Sequence, residues 1–96
     1  MEKLVIALYS DDSTVRASVI AALGKRLDQS LPEHEIKEFA TAPALRLYVD
    51  NKKQVDLFVL DAEAVPEGGM GVARQLKDEV FNCPPVLLIT GREQDN

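Results

Sequence analysis

A length of 96 residues predicts one small domain, with a second not expected within it. With 46% hydrophobic and 28% charged residues the composition is that of a soluble globular protein, and a net charge of -5 without any long basic cluster excludes direct nucleic-acid binding through a basic face. The single cysteine, Cys83, rules out an intramolecular disulfide and a cysteine-based metal cluster, and its Pro84-Pro85 neighbours read as loop, with Cys83 filling it.

The first element is the apolar run from Leu4 to Tyr9, a strand candidate that ends in Ser10-Asp11-Asp12. It is too short to span a membrane and lacks the small-residue cleavage pattern of a signal peptide, so no membrane association and a cytoplasmic location are expected. From residue 14 to about 29, Val15, Val19, Ile20, Leu23 and Leu27 recur at helical spacing, with Asp12 or Ser13 placed to cap the first turn. Residues 28–33 form a connection, and residues 34–40 read as a more polar strand suited to a sheet edge. Thr41 can cap a second helix that tolerates Pro43 in its first turn and ends near Asn51.

Residues 55–62, V-D-L-F-V-L-D-A, are the centre of the chain. Leu57, Phe58, Val59 and Leu60 show no polar alternation, which predicts a strand buried on both faces of a parallel sheet, with Asp61 at its carboxyl end. Glu67-Gly68-Gly69 marks a loop, and Val72, Ala73 and Leu76 place a third helix over residues 70 to 79. After a connector at 81–85, Val86 to Ile89 make a fourth strand that ends in Thr90-Gly91. The alternation β-α-β-α-β-α-β predicts a parallel sheet with right-handed crossovers.

Three strand ends therefore carry oxygen: Asp11 or Asp12, Asp61, and Thr90. In an open α/β sheet, ligands sit beyond the carboxyl ends of the strands. Hard cations such as Mg2+ take one or two carboxylates there and keep several waters. A carboxylate beside such a cation can attack a phosphoryl group, and a hydroxyl such as that of Thr90 can donate to one of its oxygens.

In these residues the chain resembles the receiver domain of bacterial two-component response regulators over its whole length. The resemblance rests on the acidic turn after the first strand, S-T-V-R at residues 13–16, V-D-L before the core strand, Pro66 ahead of a glycine pair, and P-V-L-L-I-T at residues 85–90. It implies a flavodoxin-like (CheY-like) doubly wound parallel sheet with strand order 2-1-3-4(-5). It also implies phosphorylation of Asp61 with Mg2+ held by Asp11, Asp12, Asp61 and Glu63, the last through its backbone carbonyl, and a switch contact from Thr90. The implied partners are a histidine kinase or a histidine phosphotransfer protein, with a homodimer among the assemblies of the family.

The sequence departs from the family pattern in three places. Counting back from Arg16 puts the acidic pair on Ser10 and Asp11, with a serine at the first place and Asp12 next. Pro66 falls one residue late, although the count from Asp61 to Gly69 matches. The chain ends at Asn96, before the family's last α-β-α segment and the lysine it carries, so residues 1–96 are expected to be a receiver domain truncated after the fourth strand.

Two other readings stand beside the phosphoacceptor. One is a degenerate, phosphorylation-independent receiver acting as a protein-interaction module, favoured by Ser10 in the acidic pair and by the lysine that the 96 residues lack. The other is a phosphatase, because L-D-A-E-A-V resembles the nucleophile motif of haloacid-dehalogenase-like enzymes, with Glu63 as general acid.

Overall fold

The computed structural model describes residues 4–26, 34–51, 54–80 and 83–90. The elements follow one another as β1 (Leu4–Tyr9), α1 (Ser13–Arg26), β2 (His34–Phe39), α2 (Ala42–Asp50), β3 (Leu57–Asp61), α3 (Gly69–Glu79) and β4 (Val86–Ile89). All strand pairs are parallel and the sheet order is β2-β1-β3-β4. The expected order is thus present for four strands.

The period-2 geometry of a strand sorts the apolar residues onto two faces. Ala7 and Tyr9 of β1 and Phe58 and Leu60 of β3 point to one side, where Ala42 and Leu45 of α2 and Val72, Ala73 and Leu76 of α3 close over them. Ile6, Leu8 and Val59 point to the other side, toward Val19, Ile20 and Leu23 of α1. Burial of a side chain such as Leu45 or Phe58 contributes about 1.5–3 kcal/mol relative to exposure. That two-sided burial explains the unbroken apolar spelling of β1 and β3.

β2 lies at one margin of the sheet. Its spelling is mostly polar, with Ile36 and Phe39 turned to opposite faces, and Glu35 and Lys37, two residues apart on one face, form an ion pair at 2.8 Å. β4 is the last strand on the opposite side among the described residues, and its Leu87 and Leu88 are exposed.

Local signals set the remaining boundaries. Thr41 Oγ1 accepts the N–H of Ala44 at 3.3 Å, and Pro43 stands in the first turn of α2, where a missing N–H is harmless. The third strand begins at Leu57, and just ahead of it the carboxylate of Asp56 accepts the N–H of Val5 at 2.8 Å while the Asp56 N–H donates to the Val5 carbonyl at 2.7 Å. Cys83 is half-buried against the core and does more than fill a loop. Leu27 and the connection at 28–33 lie outside the described residues. No helix among the described residues is long and apolar enough to cross a membrane.

Candidate functional site

Tyr9 of β1 pairs in register with Leu60 of β3, so the next residue on each strand, Ser10 and Asp61, emerges at the same level of the sheet. Both are buried, at 0% and 1% exposure. Ser10 Oγ donates to Asp61 Oδ2 at 2.7 Å and accepts the N–H of Asp12 at 3.1 Å. Asp61 Oδ1 accepts the N–H of Glu63 at 2.9 Å, and its backbone carbonyl accepts the N–H of Ala64 at 3.1 Å. A carboxylate taken out of water needs such donors, and hydrogen bonds to an ionised group are the stronger kind.

The other expected site residues gather around this pair at different depths. Asp11 turns toward the loop after β3, where its Oδ1 accepts the N–H of Val65 at 3.3 Å. Asp12 caps α1: its Oδ1 accepts the Thr14 N–H at 2.8 Å and its carbonyl accepts the Arg16 N–H at 3.1 Å. It also stands on the wall of an open cavity of about 510 Å³ that runs between α1 and the end of the sheet, lined by Val15, Ser18, Val19, Ile89 and Asp61. Glu63 meets Asp61 through its amide. Ile89 pairs with Asp61 and accepts the Ala62 N–H at 2.9 Å, which puts the exposed Thr90 one residue beyond Asp61 on the neighbouring strand.

Two further residues shape the site and were not singled out for it by sequence reasoning. Arg16 donates from its guanidinium to the Ser10 carbonyl at 2.7 Å and to Glu38 at 3.0 Å, tying the first turn of α1 to the end of β1 and to β2. The spelling S-T-V-R contained the residue, but only the chain turn at residues 10–13 brings it back over Ser10. Tyr9 packs in the core, and its hydroxyl donates to the Glu67 carbonyl. Burial raises the Tyr9 pKa above its ordinary value, and the negative charges of Glu67, Asp11 and Asp61 raise it further against an opposing effect of Arg46.

The β3–α3 loop is held down over the site. Arg46 of α2 reaches Glu67 at 3.3 Å and Gln75 of α3 at 2.7 Å. The glycine pair permits the approach, since a Cβ on Gly68 would lie 2.7 Å from the Ala62 carbonyl oxygen.

Among the described residues no three His, Cys, Asp or Glu side chains stand together as a ready-made metal cluster. The oxygen donors around Asp61 are nevertheless of the kind a hard cation takes. Two carboxylates, Asp11 and Asp61, with the Glu63 carbonyl and waters, match what Mg2+ commonly accepts. The fit is to a site of low charge, since a hydroxyl, Ser10, stands where a third carboxylate would add to it.

No family model matches the sequence. The fold is that of a response regulator receiver: the chain superposes on a receiver protein from Pseudomonas putida with a TM-score of 0.73 at 18% identity, covering 98% of this chain and 73% of that one. It superposes on the response regulator MaeR bound to beryllium trifluoride with a TM-score of 0.74 at 19% identity, covering 95% and 70%. In sequence it is 49% identical over 92 residues to response regulatory proteins of Mycobacterium tuberculosis strains CDC 1551 and H37Rv, covering 96% of this chain and 68% of each relative. The chain belongs to the response regulator family, as a CheY-like receiver domain, a signalling domain of two-component systems.

Proposed function

We propose that this receiver is a phosphoacceptor, taking a phosphoryl group onto Asp61 from a histidine kinase or histidine phosphotransfer protein in the cytoplasm, with residues 1–96 as the receiver unit. The observation that carries the reading is the buried Asp61 carboxylate, oriented by Ser10 Oγ and the Glu63 amide and bordering an open cavity. A carboxylate oxygen attacks phosphorus as the bond to the donor imidazole breaks, and the imidazole leaves with that electron pair. The two donors hold the nucleophile in one rotamer, and burial limits hydrolysis by bulk water. Thr90, one residue beyond Ile89, the register partner of Asp61, donates its hydroxyl to a phosphoryl oxygen.

Asp11, Asp61 and the Glu63 carbonyl would hold Mg2+, with Asp12 adding its charge from the cavity wall. The cation would supply charge neutralisation as the phosphoryl oxygens approach the carboxylate. The beryllium trifluoride bound to MaeR, whose fold the chain shares, supports the reading by analogy.

The test is intact mass after incubation with Mg2+ and acetyl phosphate, comparing the parent with Asp61→Asn. A single phosphoryl adduct in the parent and none in the variant is the expected result. The second reading, a phosphorylation-independent interaction module, draws on the same Ser10–Asp61 hydrogen bond, which satisfies the carboxylate without any phosphoryl group. No adduct in a folded parent, with unchanged partner binding by Asp61→Asn, would favour it.

A further inference from the structure

Every polar atom of Ser10 is engaged. Its N–H donates to the Phe39 carbonyl at 3.1 Å, its carbonyl accepts from Arg16 at 2.7 Å, and its hydroxyl accepts from Asp12 and donates to Asp61. The backbone at residue 10 is therefore clamped between β2 and α1, and any side chain placed there projects at the Asp61 carboxylate. A hydroxyl in that place adds no charge, and it gives Asp61 a proton to hold.

We infer that Ser10 is a positioning residue that sets the cation dependence of this site: its hydroxyl holds the Asp61 carboxylate in place when no cation is bound, and its lack of charge keeps divalent-cation affinity low. The inference rests on the proposed cation site. It follows from the balance of two effects at one position. Three carboxylates converging on a buried point repel one another and need a cation to coexist. Two carboxylates and a hydroxyl do not, but affinity for a hard divalent cation falls with the ligand charge. The hydrogen bond between Ser10 and Asp61, with both residues fully buried, supplies the orientation that a cation would otherwise provide.

The test is a Mg2+ titration of the 96-residue chain and of its Ser10→Asp and Ser10→Ala variants, read by calorimetry and by thermal unfolding. Ser10→Asp is expected to bind Mg2+ roughly tenfold or more tightly than the parent and to melt lower than the parent without cation. Ser10→Ala is expected to melt lower than the parent without cation, with the gap narrowing as Mg2+ is added. Ser10→Asp that binds Mg2+ no more tightly, or Ser10→Ala as stable as the parent without cation, overturns the inference. If Ser10→Asp does not fold even in Mg2+, the Ser10→Ala comparison decides alone. Neither readout requires phosphotransfer, so failure of the phosphoacceptor reading shows separately, as an absent mass adduct in a parent whose cation response stands.

Discussion

Gly69, the first residue of α3, lies against the backbone of Asp61 so closely that a Cβ added to it would stand 2.7 Å from the Asp61 carbonyl oxygen and 2.8 Å from its carbon. The obstacle is backbone of the central strand, which cannot swing aside as a flexible side chain can. Gly69→Ala is expected to destabilise the protein by about 2 kcal/mol or more, because either β3 or the start of α3 must shift. Gly71, two residues on, meets nothing within 4 Å and lies inside the helix. Gly71→Ala is therefore expected to stabilise by roughly 0.5–1 kcal/mol through the unfolded chain. Urea unfolding of the two variants checks the opposite signs, and equal effects would show that the loop does not bear on Asp61.

Arg16 makes two contacts of unequal worth. Its pairing with Glu38 leaves that carboxylate 46% exposed, where a single ion pair contributes about 0–1 kcal/mol and is screened by salt. Its bond to the Ser10 carbonyl is shorter, at 2.7 Å, and fixes the end of β1. Glu38→Ala is expected to lower stability by less than about 0.5 kcal/mol and Arg16→Ala by about 1–3 kcal/mol, the latter persisting in high salt. Unfolding midpoints at low and high ionic strength separate the two.

The Tyr9 hydroxyl gives a pH signature. Its pKa is raised in the folded protein, first by burial and then by the nearby carboxylates, so the folded state holds this proton more tightly than the unfolded state does. The stability linked to it is fully present below the unfolded pKa of 10.0 and is lost as the pH rises above that value toward the folded one. Tyr9→Phe loses the hydrogen bond to the Glu67 carbonyl, about 0.5–1.5 kcal/mol at neutral pH, and its stability is expected to fall less steeply than that of the parent above pH 10.0. Parallel alkaline slopes in the two proteins would refute the assignment.

What the sequence made legible is what short-range chemistry decides. Thr41 and Pro43 announce the start of α2, and the unbroken run at residues 57–60 announces a strand covered on both faces. The recurrence of oxygen-bearing residues at strand ends is also legible, and it places Ser10-Asp11, Asp61 and Thr90 along one edge of the sheet. Long-range geometry was not legible. Counting residues showed that Ser10 departs from an acidic pattern, but its hydrogen bond to Asp61, 51 positions away, follows only from the parallel register of β1 with β3. Likewise the spelling places Asp56 just ahead of the core strand without showing that the Val5 amide uses its carboxylate. Arg16 is legible as part of S-T-V-R, but its bond to the Ser10 carbonyl follows only once α1 folds back over the end of β1.

Asp11 and Asp12, adjacent in sequence and alike in chemistry, divide two roles between them. Asp12 gives one oxygen to the N-terminus of α1, a cap worth about 1 kcal/mol that asparagine supplies almost as well. Asp11 turns to the loop after β3, where its Oδ1 accepts the Val65 N–H, and it is the one of the two proposed to ligate the cation. Asp12→Asn is therefore expected to keep the stability of the parent, whereas Asp12→Ala loses about 1 kcal/mol in urea unfolding. In Mg2+ titrations Asp11→Asn is expected to weaken binding roughly tenfold or more, and Asp12→Asn by clearly less, since a ligating charge counts for more than one held off by a cap. The reverse order would move the cation to the α1 side of Asp61, into the cavity whose wall Asp12 shares with Val15 and Ser18.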